Sequence, residues 1–206
     1  MQKSFIFLLI SIFSLLAVSC KNETKKEEVV KTPNVEVSEK PPVKRAPKKE
    51  LTPEDVGMVN SVMARIMATP ETKKYASYLV TAEMVTTLSE DKGPFTVFAP
   101  TTNALESLTA EKKKFYAIAE NRPKLVEMLQ SFIVKGKMDK ETLIQTINKN
   151  GKAKLKTLAG VTLTATKVDE NIVISDGKGA KVTVTKGSID ASNGVVYVVD
   201  GLLNAN

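Results

Sequence analysis

After residue 51, hydrophobic residues recur at the three- to four-residue spacing of an α-helix, with polar residues between them. Thr52 precedes Pro53, and Asp55 lies three residues after Thr52, which is typical of a capped helix start. Apolar side chains then recur every three or four positions until Pro70, so we predict one helix there. A second helical pattern runs from 74 to 88. We interpret the tyrosines and methionines of these segments as core residues rather than as a ligand-binding stripe.

The pattern changes abruptly in segment 93–108. A Gly-Pro pair opens a short apolar run that ends at Pro100, and the polar residues from Thr101 onward can cap a following helix. The local chemistry therefore predicts a buried strand, a break and a helix in direct succession. Segment 109–119 predicts another helix, and Pro123 begins the next one.

A period of two replaces the helical period in the C-terminal part of the chain. Before this change, a strand is predicted at 132–134 and a helix at 139–147, which Asn150 and Gly151 end. The strands predicted after it are 154–158, 161–166, 172–174, 182–184 and 195–199. Ala-Gly, Asp-Gly and Asn-Gly turns separate these strands, as expected for an antiparallel series. Helices first and strands later, with one strand between them, predict an α+β fold.

Two stretches of the chain resemble the signature blocks of the fasciclin domain family. Residues 93–108 read GPFTVFAPTTNALESL, where the family usually has G-x-F-T-V-F-A-P-T followed by Asn or Asp. Residues 191–203 read ASNGVVYVVDGLL, where the family usually has S-N-G-V-I-H-V-I-D. Two blocks in the family's order make the match specific. The signature positions that match are Gly93, Phe95, Thr96, Val97, Phe98, Ala99, Pro100, Thr101, Asn193, Gly194 and Asp200, whereas Thr102 and Tyr197 depart from the pattern.

The resemblance implies a fold and a class of function. The implied fold is a twisted antiparallel β-sheet wedge flanked by helices, and the domain is expected to span residues 52–206. Family members are commonly adhesion or matrix proteins, and bacterial members are often secreted or lipid-anchored. We expect the signature positions to be mostly structural, with Asn193 and Gly194 in a tight turn, and we assign no ligand-binding residue.

Animal members of the family are associated with integrin contact through a Tyr-His segment and an Asp-Ile pair. The corresponding positions here are Ser131-Phe132 and Ser188-Ile189. Because both polar determinants are missing, an integrin-type mode is not carried over. Any partner is expected to contact other residues.

The first twenty residues have the layout of a bacterial export signal. Lys3 gives a positive start, the apolar run from Phe5 to Val18 is too short to span a membrane, and small residues precede Cys20. This ending resembles the lipobox of bacterial lipoproteins, in which the cysteine becomes the acylated first residue. We therefore predict a signal peptide over 1–19 and lipidation at Cys20, with an ordinary secretory signal as the alternative.

The segment 20–51 is predicted to be a tether. It is rich in Lys, Glu and Pro and contains no aromatic residue, so it offers too little apolar surface to offset the entropy of ordering. Its lysine clusters are interpreted as solubilising charges, with attraction to anionic headgroups or glycans as the alternative.

Composition restricts the chemistry that the chain can perform. The 206 residues contain no His, no Trp and a single Cys, which excludes His-based triads and His-containing zinc sites. Carboxylate pairs such as Asp169 and Glu170 lie at predicted turns, where acids are usually solvated. We therefore predict no catalytic residues, no metal site and no cofactor.

The charges of the chain are interleaved. The formal net charge of +7 comes from 30 Lys and Arg against 23 Asp and Glu. With 5% aromatic residues and no basic aromatic stripe, nucleic acid is not an expected partner. The run Lys112 to Lys114 is interpreted as a solvated face, with binding of an acidic polysaccharide as the alternative.

These observations lead to one functional hypothesis and one alternative. The hypothesis is a monomeric, non-enzymatic protein that a lipid anchor holds at the bacterial outer membrane or cell surface. Its fasciclin-like domain would mediate adhesion or bind an extracellular polysaccharide or surface protein. The alternative is a periplasm-facing structural module that holds another envelope protein.

Overall fold

A computed structural model describes residues 50–90 and 93–203. The predicted signal peptide, Cys20 and the tether up to residue 49 lie outside the described residues. In chain order, the helices and strands are α1 Pro53–Val59, α2 Val62–Ala68, α3 Lys73–Thr81, α4 Val85–Ser89, β1 Phe95–Pro100, α5 Thr102–Glu106, α6 Ala110–Ala117, α7 Arg122–Gln130, β2 Ile133–Lys135, α8 Lys140–Asn150, β3 Ala153–Lys156, β4 Thr162–Val168, β5 Asn171–Ser175, β6 Lys181–Ala191 and β7 Gly194–Val199. This order confirms the predicted α+β class.

The prediction of one helix between Thr52 and Pro70 is wrong, because two helices occupy this segment. The predicted start is confirmed: Thr52 and Asp55 form a reciprocal capping box at α1. The helix stops at Asn60, whose side-chain amide donates to the Val56 carbonyl at 2.9 Å. Ser61 then caps α2, and its hydroxyl accepts from the Ala64 backbone N at 3.3 Å.

The prediction of one helix over 74–88 is also wrong, because α3 ends at Thr81. Glu83 adopts a left-handed conformation with φ of 59°. The backbone N–H groups of Glu83 and Met84 donate to the Val80 and Leu79 carbonyls at 3.0 Å each. This is a Schellman motif with Glu at the position where Gly is usual, so the sequence contained no glycine to mark the stop.

Seven strands form one mixed sheet in the order β2-β1-β7-β6-β5-β4-β3. The predicted antiparallel pairing is confirmed for all neighbours except β1 and β7, which run parallel. The two ends of the order approach each other, because Val134 bridges Thr157 and the Leu158 backbone N donates to the Ile133 carbonyl at 2.7 Å. The sheet is therefore nearly closed.

The core lies between this sheet and the helices. Helix α2 lies against β1, β6 and β7, and α8 lies against β3 and β4. Phe98 stacks on Tyr197 with ring centroids 5.4 Å apart, and Tyr75 meets Phe132 edge-on at 6.0 Å. Among residues 50–90 and 93–203, no helix is long and apolar enough to span a bilayer.

Candidate functional site

The two signature blocks lie side by side in the parallel pair of β1 and β7. Phe95 is in register with Gly194, and the Phe95 backbone N donates to the Asn193 carbonyl at 2.9 Å. A Cβ atom on Gly194 would lie 2.1 Å from the Phe95 carbonyl oxygen, and one on Gly93 would lie 2.4 Å from the Asn193 carbonyl oxygen. Both glycines therefore permit a close approach of the two backbones.

The signature residues of β1 are buried at every position from Phe95 to Pro100. The Thr96 hydroxyl donates to the Gly136 carbonyl at 2.7 Å and accepts from the Met138 backbone N at 2.9 Å. Thr101 caps α5 as predicted, and its hydroxyl accepts from the Ala104 backbone N at 3.2 Å. These side chains make contacts within the fold.

Asn193 connects two helices through its side chain. Its Oδ1 accepts from the Val62 backbone N at the start of α2 at 2.8 Å, and its Nδ2 donates to the Leu88 carbonyl of α4 at 3.1 Å. The residue is 7% exposed. Asn-Gly in the sequence predicted a turn, but no local signal indicated that the amide reaches segments more than 100 residues earlier.

Ser192 and Asp200 also make contacts within the fold. The Ser192 hydroxyl donates to the Gly57 carbonyl of α1 at 2.7 Å. An Asp200 carboxylate oxygen accepts from the Thr183 backbone N at 2.7 Å and so ties the end of β7 to β6.

The residues at the positions of the integrin determinants do not present polar side chains for contact with a partner. The Ser131 hydroxyl donates to the Met128 carbonyl at 2.6 Å, and Phe132 is fully buried. Ser188 and Ile189 lie within β6, where the strand register against β7 shifts.

A surface groove between α6, α7 and the turns of the sheet has an exposed aromatic wall. We call it the Phe115 groove; its volume is about 360 Å³. Its lining comprises Phe115, Tyr116, Lys124, Glu127, Met128, Ser131, Ala159, Val161 and Lys178. Phe115 is 43% exposed, and its ring centroid lies 5.6 Å from that of the buried Tyr116 in an edge-to-face arrangement.

Charged groups surround the aromatic wall. The Lys124 ammonium lies 2.9 Å from a Glu127 carboxylate oxygen, and this hydrogen bond holds the pKa of Lys124 above its usual range. Burial raises the pKa of the Tyr116 phenol, and the negative charge of Glu127 adds to that increase. The groove thus offers an aromatic face beside hydrogen-bond donors and an acceptor.

A second groove, of about 270 Å³, is lined by three lysines and the edge of Tyr197. We call it the Tyr197 groove. Lys167 lies 3.4 Å from Glu170, and Lys186 lies 3.4 Å from Glu71; the third lysine is Lys140.

Tyr197 itself is held inside the fold. Its hydroxyl donates to the Met138 carbonyl at 2.7 Å, and the side chain is only 1% exposed. Burial raises the pKa of Tyr197 to about 12. The Tyr197 groove therefore offers ammonium groups without an open aromatic face.

The lysine run of α6 lies directly before Phe115. Lys114 is exposed, whereas Lys112 and Lys113 are half-buried. The Lys113 ammonium donates to the Glu106 carbonyl at 2.5 Å. The run is thus only partly the solvated face that the sequence predicted.

No arrangement within the described ranges indicates metal binding: no three acidic, His or Cys side chains there come together as a metal-ion site. Asp169 and Glu170 lie at the turn between β4 and β5, and both are exposed.

The chain is similar in sequence to known proteins. Residues 70–205 match the sequence profile of the fasciclin domain. Protein sll1483 of Synechocystis sp. is 35% identical over 122 residues, which cover 59% of this chain and 61% of that protein. Stabilin-1 of Homo sapiens is 30% identical over 112 residues, which cover 54% of this chain and 4% of that protein. The chain thus spans less than two thirds of both relatives.

A solved structure shares the fold. It is a domain pair from the insect cell adhesion molecule fasciclin I, and it superposes with a TM-score of 0.63 over 69% of this chain and 50% of that chain. The sequence identity of this match is 15%. The likeness supports the α+β architecture with its nearly closed mixed sheet.

Proposed function

Because the chain belongs to the fasciclin domain family, we propose that it is a lipid-anchored envelope protein whose globular domain mediates adhesion or binds an extracellular polymer or surface protein. Fasciclin domains are typically non-catalytic binding modules. The structural relative described above comes from a cell adhesion molecule. Both points support a binding role for the domain.

The observation that carries the proposal is that the signature strand is buried, whereas two grooves on the surface are accessible. The signature side chains from Phe95 to Pro100 are buried, and Asn193 is almost fully so. The Phe115 groove and the Tyr197 groove instead present ammonium groups, and the former adds an exposed ring. We therefore propose that recognition depends on surface residues outside the buried signature strand β1.

The anchor is supported by the sequence. Cys20 is the single cysteine, and small residues and an apolar run precede it. A tether over 20–51 would let the domain stand off the membrane, since about 30 flexible residues have a root-mean-square span of roughly 30 Å. Two or more acyl chains anchor a protein stably, whereas one gives marginal binding.

The anchor is tested with Cys20→Ser. This change removes the acylation site, and no disulfide can be lost because the chain has one cysteine. We expect the variant to leave the membrane fraction in moderate salt, because exposed charges are screened over about 10 Å at 0.1 M. Cells should lose any surface attachment that depends on the protein, while its melting temperature stays unchanged.

Retention of Cys20→Ser in the membrane fraction would contradict the proposed lipid anchor. If Cys20→Ser remains with membranes, the protein is held by an uncleaved signal segment or by a membrane partner. Protease treatment of intact cells then distinguishes orientation: cleavage in the tether indicates a surface-facing protein, and full protection indicates the periplasm-facing module.

A further inference from the structure

We propose that the Phe115 groove binds sugar rings of a carboxylate-bearing polysaccharide. This inference rests on the proposed function and names the site and the ligand class. It takes two features of the groove together, an accessible aromatic ring and a surplus of ammonium groups.

The aromatic ring is accessible and held in place. Phe115 is 43% exposed, whereas Phe95, Phe98 and Phe132 are at most 6% exposed. Tyr116 supports the ring edge-on at an interplanar angle of 74°. Aromatic rings make large apolar contacts at little cost in side-chain entropy, and the C–H face of a pyranose ring is an apolar surface of matching size.

The charges of the groove favour an acidic sugar. Lys124 is paired with Glu127, but both side chains are more than 60% exposed, and such pairs are weak enough to exchange partners. Lys178 forms no ion pair with a carboxylate of the described residues. Two ammonium groups against one carboxylate leave a positive surplus for a ligand carboxylate. The Lys124–Glu127 pair supplies donors and acceptors for sugar hydroxyls.

The shape of the groove fits part of a polymer. A volume of about 360 Å³ falls within the range of ligand sites, about 300–1,000 Å³, and the groove is open to solvent. The Tyr197 groove has one more lysine, but its aromatic residue is only 1% exposed. It can attract an anion without stacking a ring, which makes it a matched comparison within the same molecule.

The experiment measures binding of the full-length chain to three polymers in moderate salt. Alginate carries uronic acid rings, dextran carries neutral rings, and poly-glutamate carries carboxylates without rings. We expect alginate to bind at least about tenfold more tightly than either of the others, because a ring contact and a charge contact are both required. Equal affinity for poly-glutamate or for dextran would overturn the inference.

Substitutions then locate the site. Phe115→Ala and Lys178→Glu should each weaken alginate binding about tenfold, as expected of a central contact, while Phe115→Tyr retains the ring and most of the affinity. Melting temperatures should stay near that of the original chain, because both side chains reach the surface. Undiminished binding by a folded Phe115→Ala variant would contradict the proposal.

Two matched control variants test whether a loss of alginate binding is specific to the Phe115 groove. Ile118→Ala removes an apolar side chain that is 48% exposed and lies outside the lining of the groove. Lys167→Glu reverses a charge in the Tyr197 groove. Both should bind alginate unchanged, and a tenfold loss in Lys167→Glu without a loss in Lys178→Glu would assign the site to the Tyr197 groove.

Failure of this inference is separable from failure of the proposed function. A chain that binds none of the three polymers overturns the polysaccharide site. The lipid anchor, and any surface attachment that depends on it, are still tested by the Cys20→Ser cell experiment, whose readouts are fractionation and surface attachment.

Discussion

The parallel pair of strands β1 and β7 differs from the outer strands β3 and β4 of the same sheet in how far its residues are exposed to solvent. Every residue of β1 and of β7 is buried, as is typical of parallel strands covered on both faces. In β3 the burial alternates, and β4 begins with the same alternation. One sheet thus contains a fully enclosed region and a region with one solvated face.

Because of this difference, we expect stability and recognition to depend on different regions of the domain. The signature residues from Phe95 to Pro100 and Gly194 belong to the enclosed region, where every residue is buried. The Phe115 groove instead lies where helices α6 and α7 meet the turns of the outer strands. Substitutions in the enclosed region should therefore change folding, and substitutions around the groove should change binding.

The largest effect is expected from Phe98→Ala in the enclosed region. Phe98 is fully buried and stacks on Tyr197, so truncation leaves a cavity that costs about 3–5 kcal/mol. Thermal denaturation should show a large drop in melting temperature. If Phe98→Ala melts like the original chain but shows altered ligand binding, the distinction between the two regions fails.

A smaller effect is expected from Asn193→Ala. The change leaves the Leu88 carbonyl and the Val62 backbone N without their side-chain partner, at a cost of about 1–3 kcal/mol. Denaturant titration provides the free energy of unfolding. Ser192→Ala is the comparison at the neighbouring position, where the hydroxyl bond is exposed and the loss should be smaller.

A change of less than about 0.5 kcal/mol is expected from Lys154→Ala in the solvated region. Lys154 is exposed on β3, between the buried Ala153 and Leu155. The same denaturant titration applies. A loss comparable to that of Asn193→Ala would show that the outer strands are as constrained as the parallel pair β1 and β7.

The smallest effect concerns pH and the helix that covers the outer strands. Asp139 caps α8, and the hydrogen bond from the Thr142 backbone N to its carboxylate holds the pKa of Asp139 below its usual value. A depressed folded-state pKa means that the stabilisation is present above the unfolded-state pKa and is lost as the pH falls through the folded-state pKa. Asp139→Asn keeps a capping acceptor without titrating.

The measurement for this prediction is the melting temperature of both chains between neutral pH and about pH 2. The advantage of the original chain over Asp139→Asn should shrink as the pH falls. A difference that is constant across this range would indicate that the ionised carboxylate adds nothing to the cap.

Local chemistry predicted the parts of the fold that depend on neighbouring residues. The capping box at Thr52 and the cap at Thr101 are confirmed, as is the helix stop at Gly151, which adopts a left-handed conformation at the end of α8. The buried strand of the first signature block is confirmed as β1. All of these involve residues within a few positions of each other, where side-chain type alone decides.

Features that depend on distant contacts could not be predicted in this way. The strand predicted at 182–184 is the start of the much longer β6, whose register shifts against β7 near Lys186 and Ile189 and so hides any alternation. The parallel pairing of β1 with β7 joins segments almost 100 residues apart. The Phe115 groove likewise combines α6, α7 and Lys178, so its exposed ring was not distinguishable from core aromatics in the sequence.

The near closure of the sheet also governs how copies of the protein can coexist at high density. Open sheet edges present unpaired backbone groups that can recruit strands from other molecules into growing aggregates. Here the two terminal strands of the order, β2 and β3, are brought together by the Val134–Thr157 bridge and the bond from Leu158 to Ile133. Many domains crowded onto one surface would therefore have little exposed template for polymerisation, and encounters between them would be limited to side-chain contacts.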